Sequence, residues 1–337
     1  MISCTYQLVH PRAFSVQFSD IALDAGVIVK PRYMALCHAD QRYYLGQRDA
    51  SILRQKLPMA LIHECCGEVV YDKSGTFKVG QNVVMIPNVP GVVRDGEYEN
   101  YSRGARFLSS GYDGFMQEFI AMPSDRLVPF EDVPLQVAAI CEFVSVGMHA
   151  ASRFDRCAHQ YRDTLAVWGD GSLAYVVACI LKNAHKNAKI VVVGKNRAKL
   201  SYFSFADETY LIDELPENLR IDHAFECVGS QGSFYAINDI IRHINPQGTV
   251  VLLGVSEDKV AINTRDILEK GLTMLGCSRS GRVDFEKAVE FLQNKDFQHR
   301  LSAIVHEAAA VGSIDDIHRV FAEDAGTMFK TVFEWKL

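Results

Sequence analysis

From Thr164 to Val255 the chain alternates short β-type runs with helical ones, and this alternation restricts the fold more than any other feature. TLAVWGDG reads as a strand entering a glycine turn, SLAYVVACILKNA as a helix and KIVVVG as a strand. KNRAKLSYFSF is helical in pattern, ETYLI and DHAFECVG are strands, QGSFYAINDIIRHI is a helix and GTVVLLGV a strand. Strands alternating with helices of roughly 10–15 residues imply a parallel sheet with crossover helices.

The flanking regions follow a different rule. Residues 1 to about 85 carry short alternating runs (TYQLV, FSVQF, GVIVKPRYM, GEVVYD, QNVVMIP) separated by turn residues, the pattern of a compact, mostly β domain. Residues 88–114 are irregular and rich in Gly, Tyr, Asn and Arg, and a loop of that length is functional or disordered. GFMQEFIAM reads as a further strand, and QVAAICEFVSVGMHAASRF as a helix. After LTMLGCSRS come two amphipathic helical stretches, DFEKAVEFLQNK and SIDDIHRVFAED, and the strand-like KTVFEWKL, which are best placed back on the first domain. The expected division is 1–140 for a mostly β catalytic domain, 141–276 for a doubly wound parallel-sheet domain, and 277–337 for the return, an α/β protein as a whole.

Composition narrows the function. With 337 residues, 23% charged and a net charge of −6, the chain has no dense Lys/Arg block, so nucleic acid and membrane surfaces find no electrostatic support. The first residues lack a basic segment followed by an apolar core, and the apolar runs are too short and too polar to span a bilayer. Nine cysteines without a regular framework suggest reduced thiols and a cytoplasmic protein.

Gly169-Asp170-Gly171-Ser172-Leu173-Ala174 fits G-x-G-x-x-A between a strand and a helix. Glycines there permit a tight turn and the approach of a pyrophosphate to the helix N-terminus, so Gly169, Gly171, Ser172 and Leu173 are candidate dinucleotide contacts. An NAD site offers Asp or Glu about 20 residues further on. KIVVVG ends instead at Gly194, followed by Lys195 and Arg197, whose cations suit the 2′-phosphate of NADP(H). The ordinary reading is that both simply point into water, but the missing acid together with two nearby bases favours NADP(H).

LPMALIHECCGEVV sets His63 beside Glu64 among apolar and small residues, and a buried imidazole and carboxylate are costly unless paired. Cys37 can supply a thiolate and His63 a neutral imidazole, with Glu64 or Glu142 completing a zinc-like donor set. Each also has an ordinary reading: a packed thiol, a hydrogen-bonded core histidine, the polar face of a helix. That reading is weakest for Glu142, which lies between apolar residues in VAAICEFVSV.

Taken in order, Cys37-His38-x-Asp40, His63-Glu64 with Gly67-Glu68, Gly114-Phe115, Glu142-x-x-x-Val146-Gly147-x-His149 and the glycine turn resemble the zinc-dependent medium-chain dehydrogenase/reductase superfamily, on its polyol dehydrogenase side. DQRYYLGQRD, GYDGFMQEF, WGDGSLAY, DHAFECVGSQGS and SRSG are similar to its ribulose-5-phosphate reductase (ribitol-5-phosphate dehydrogenase) branch. The resemblance implies a GroES-like catalytic domain, a Rossmann domain, and an active site in the cleft between them. It implies catalytic zinc on Cys37, His63, Glu64 and Glu142, nicotinamide along Cys227-Val228-Gly229 and Leu253-Gly254, and a substrate-side Arg279.

It also implies NADPH-dependent reduction of ribulose 5-phosphate for teichoic acid or capsule polymers, beside a cytidylyltransferase, by a homodimer paired through the last Rossmann strand. Arg42 and Arg279, ahead of Arg48 and Lys56, are candidates for the sugar phosphate, with Tyr43 nearby. Two departures stand out. Ala39 replaces the hydroxyl residue that opens the proton relay in many relatives, which leaves water, Tyr43 or the ribose hydroxyls to carry the proton. Residues 88–114 contain no cysteine, so one catalytic zinc and no structural zinc are expected. An unphosphorylated polyol such as sorbitol or xylitol with NAD, and a zinc-free NADPH-binding protein, are the alternatives.

Overall fold

The computed structural model describes all 337 residues. They form two compact units, Met1–Ser145 with Arg279–Leu337, and Val146–Ser278.

In the first unit a seven-stranded sheet runs in the order Leu127–Pro129, Asn82–Met85, Glu64–Tyr71, Val27–Ala35, Lys330–Trp335, Val305–Val311, with Ile120–Met122 also pairing on Val27–Ala35. A smaller antiparallel sheet joins Ala13–Asp20, Ile2–His10 and Met59–Ala60. Alternation along these strands sends Val29, Met34, Cys65, Val69 and Val83 into one core with Leu61, Ile62, Phe115 and Phe333. Each such side chain contributes about 1.5–3 kcal/mol by leaving water.

Register is what positions the chemistry. Ala35 pairs antiparallel with Glu64 on one side and with Val332 on the other. The chain leaving Ala35 therefore reaches Cys37 at the strand ends where His63 enters and where Lys330, two residues before Val332, lies. A one-residue slip would turn all of these side chains to the opposite face.

The second unit is a six-stranded, wholly parallel sheet in the order Glu208–Leu211, Lys189–Gly194, Thr164–Trp168, Ile221–Glu226, Ile244–Leu252, Thr273–Gly276. Helices Ser172–Ala184 and Gly232–His243 cross between strands. The strand order reverses between Thr164–Trp168 and Ile221–Glu226, and such a switch point opens a ligand crevice at the carboxyl ends of the strands.

Some elements differ from the sequence reading. Of KNRAKLSYFSF only Arg197–Leu200 is helical, because the apolar Phe203 and Phe205 pack as a ring cluster with Tyr175 instead of continuing a helical stripe. Of GFMQEFIAM only Ile120–Met122 pairs as a strand, since the Gly114–Met116 backbone is bonded to Ala60, Leu61 and Ile62. Two helices of seven residues, His38–Tyr44 and Ala50–Lys56, interrupt the β unit. No helix is long and apolar enough to cross a membrane.

Candidate active site

Cys37 stands at the N-cap of His38–Tyr44, with its N–H donating to Asp40 Oδ2 at 3.1 Å. The other oxygen of the same buried carboxylate accepts the Ile62 N–H and the Ser109 hydroxyl, each at 3.0 Å, and lies 3.8 Å from His63 Nδ1. Asp40 thus fixes the residue before the imidazole, the residue that bears the thiol and a loop from 88–114. Ile62 and Ser109 are held at φ +71 and +62. A β-branched residue in the left-handed region is a genuine outlier, and such strain concentrates at functional sites.

Ligand atoms of Cys37, His63 and Glu64 lie within 4.8 Å of one another. Glu64 is fully buried. Its Oε1 accepts from Lys330 Nζ at 2.5 Å, while its Oε2 is buried with no hydrogen-bond partner. Lys330 also donates to Leu36 O at 2.7 Å and faces the Phe143 ring. Glu142, expected as a fourth donor, is buried near enough for its charge to act on His63 and Glu64, but it stands outside the group of three.

The acidic groups Cys37, Asp40, Glu64 and Glu142 outnumber the two fixed cations beside them, Lys330 and Arg279. Burial and the Glu64 charge push Glu142 up to about 7. Burial alone would lower His63, yet the charges of Asp40, Cys37 and Glu142 raise it well above its ordinary value. A divalent cation would neutralise the excess and satisfy Glu64 Oε2, and thiolate, imidazole and carboxylate are donors that zinc accepts. The residues fit such an ion.

Arg279 has φ +57, and its guanidinium lies 4.7 Å from the centroid of Phe107, a ring that also sits 5.4 Å from the His63 ring. Arg42 is half-buried in the last turn of His38–Tyr44. Tyr43 is buried, with Arg48 at 4.6 Å and Lys56 at 5.9 Å from its ring centroid.

In the second unit Gly169 (φ +132) makes the turn, and Gly171 is the N-cap of a helix whose first residues are Ser172 and Leu173. Lys195 and Arg197 are exposed, and Arg197 pairs with Glu214 at 2.5 Å. The strand ending at Gly194 carries no acid at its tip. Nevertheless, Asp170 of the glycine turn reaches over and accepts the Lys195 and Asn196 N–H groups on one oxygen, both at 2.7 Å. Gly194 makes room for it, since a Cβ there would come within 2.7 Å of Asp170 Cβ. Val228 is exposed, Leu253 buried, and Cys227, Gly229 and Gly254 half-buried.

Nothing in the local sequence pattern marks Phe107 or Ser109, and Asp40 and Asp170 stand out only as members of motifs. A lysine among Phe329, Thr331, Val332 and Phe333 was the available signal for Lys330.

Residues 23–132 match the alcohol dehydrogenase GroES-like domain and residues 176–294 the zinc-binding dehydrogenase domain. The chain is 54% identical over 340 residues to the ribulose-5-phosphate reductase of Streptococcus pneumoniae, covering all of this chain and 98% of that one. It is 47% identical over 341 residues to the ribulose-5-phosphate reductase of Bacillus spizizenii, covering both chains fully. The crystal structure of Staphylococcus aureus TarJ in complex with NADPH superposes with a TM-score of 0.90 at 42% identity over the whole of both chains. Fold, donor set and full-length identity agree: the chain is an oxidoreductase that belongs to the zinc-dependent medium-chain dehydrogenase/reductase superfamily, beside its ribulose-5-phosphate reductases.

Proposed function

We propose that this enzyme reduces D-ribulose 5-phosphate to D-ribitol 5-phosphate with NADPH and one catalytic zinc ion. The observation that carries this reading is the 54% identity to a ribulose-5-phosphate reductase along the entire chain, with three metal-donor side chains grouped in the first unit. Cys37, His63 and Glu64 hold the ion, with Glu142 as a further carboxylate available during turnover. Asp40 holds the backbone of Cys37 and of Ile62, the residue before His63, and Lys330 restrains one oxygen of Glu64. A zinc ion held there would supply a Lewis acid for the substrate carbonyl, and the reduced nicotinamide would supply hydride.

Arg279 and Arg42 bind the substrate phosphate, and Tyr43 stands on the substrate side. Ala39 offers no hydroxyl, so the proton arrives through water, Tyr43 or a ribose hydroxyl. Lys195 and Arg197 receive the 2′-phosphate of NADPH. The product serves teichoic acid or capsule polymers in the cytoplasm, the enzyme is a homodimer, and a cytidylyltransferase consumes the product.

The test follows NADPH absorbance with ribulose 5-phosphate before and after chelation. Turnover that disappears on chelation and returns with zinc, while NADPH binding stays within about twofold, is the expected result. Full activity in the chelated protein would refute the zinc role, and equal rates on ribulose would refute the phosphate requirement.

A second reading, an unphosphorylated polyol with NAD, has one observation in its favour: Asp170 brings a carboxylate to the tip of the second parallel strand, where NAD sites present an acid. Comparing NADPH with NADH, and ribulose 5-phosphate with xylulose, separates the two.

A further inference from the structure

We propose that Glu226 is a positioning residue for the nicotinamide half of the cofactor, acting as a charged staple between two loops of the parallel-sheet unit. The inference rests on the dinucleotide reading given above. Glu226 is the last residue of the strand Ile221–Glu226 and is fully buried. Its Oε1 accepts the N–H of Val228 at 2.9 Å, the N–H of Gly229 at 3.0 Å and the hydroxyl of Ser233 at 3.1 Å. Its Oε2 accepts the N–H of Gly254 at 3.0 Å. One carboxylate therefore fixes the loop that follows Ile221–Glu226 and the loop that follows Ile244–Leu252. Gly254 fits because it has no side chain: a Cβ there would lie 2.4 Å from Glu226 Oε1 and from the Gly229 nitrogen.

The place of this staple follows from topology. The first loop borders the switch point, since Cys227 N–H bonds Trp168 O at 2.8 Å and a Cβ on Gly169 would meet Cys227 O at 3.0 Å. In a doubly wound sheet the pyrophosphate lies at the glycine turn and the adenosine ribose at the end of the next strand, here Gly194. The nicotinamide half then extends the other way, across the ends of Ile221–Glu226 and Ile244–Leu252. Glu226 holds both ends.

Its charge has a consequence that its shape does not. All four partners are neutral donors, so no cation offsets the charge of this carboxylate, which lies in a place water does not reach, where fields are weakly screened. The oxidised nicotinamide ring is cationic and the reduced ring neutral. Glu226 therefore stabilises bound NADP+ relative to bound NADPH, which moderates the release of the oxidised product.

The experiment measures equilibrium dissociation constants of NADPH and NADP+ for zinc-loaded wild type, Glu226→Gln and Glu226→Asp, with a melting temperature for each. Glu226→Gln removes the charge at nearly constant shape. Affinity for NADP+ should fall about five- to tenfold more than affinity for NADPH. Glu226→Asp keeps the charge but draws the carboxylate back by one methylene, so both forms should bind more weakly by similar factors. It also remains readable if the glutamine variant does not fold. Equal losses for the two nucleotides in Glu226→Gln, or wild-type binding of both in Glu226→Asp, would overturn the proposal. Wild-type protein that binds neither nucleotide would overturn the cofactor reading itself and this inference with it.

Discussion

Lys330 Nζ lies 2.5 Å from Glu64 Oε1, across 266 positions of sequence, and both groups are withdrawn from water. Removing one partner of such a pair leaves an uncompensated buried charge, at a cost of about 3–5 kcal/mol. Lys330→Met should therefore destabilise the zinc-stripped protein by that order. A bound cation would give the orphaned carboxylate a new partner, so the stability gained on adding zinc should be larger in the variant than in wild type. Denaturant unfolding with and without metal reads both values. An equal gain in the two proteins would mean that Glu64 answers to Lys330 alone.

Asp40 touches no expected ligand atom at hydrogen-bond distance, yet it ties together the backbone of Cys37, the strained Ile62 before His63, and Ser109. In Asp40→Asn one oxygen becomes an NH2 that faces donors it cannot accept from. Zinc affinity should fall about 10–100-fold, the usual effect of losing a group that orients metal ligands from outside the coordination sphere. Competition with a chromogenic chelator measures it, and unchanged affinity would remove Asp40 from the metal site.

How far these features could be read from the chain depends on the range of the interaction that makes them. The glycine turn is local chemistry, a strand, a tight turn and a helix within a few residues, and it is visible in six letters. Cys37, His63 and Glu64 carry their donor character in their residue types, and burial of Glu142 is implied by its apolar neighbours. Distance to a common point is implied by neither, so the grouping of three without Glu142 needed the sheet register. Lys330 and Asp170 escaped for the same reason. The first meets Glu64 only through strand pairing, and the second supplies an acid to a strand tip from a turn 25 residues upstream. The two seven-residue helices at 38–44 and 50–56 are too short to show a helical period against a β background.

Lys195 and Arg197 separate the two cofactor readings. They are exposed, so each is worth about 1 kcal/mol to a 2′-phosphate, and together a loss of roughly 10–30-fold in NADPH affinity is expected for the double alanine variant. NADH binding should change less than about twofold. Fluorescence titration of both nucleotides gives the ratio. An equal loss for the two would place these cations away from the phosphate and favour the reading in which Asp170 faces an unmodified ribose.

His223 sets the expected acid limit of the parallel-sheet unit. Its Nδ1 accepts the Thr249 N–H at 3.0 Å, so Nε2 carries the proton and donates to Tyr161 O at 3.0 Å. Burial, and then the neighbouring His159, push the imidazole down to about 4. The folded value lies below the ordinary one near 6.5, so folding favours the neutral ring, and its contribution is fully present above about pH 6.5. As pH falls toward 4 the unfolded chain takes up a proton that the folded one resists, and about 3 kcal/mol of stability is lost. His223→Gln should be less stable than wild type at pH 7 but should lose less of its remaining stability between pH 6.5 and 4. Melting curves across that range test the difference in slope, and parallel slopes would assign the acid sensitivity to other groups.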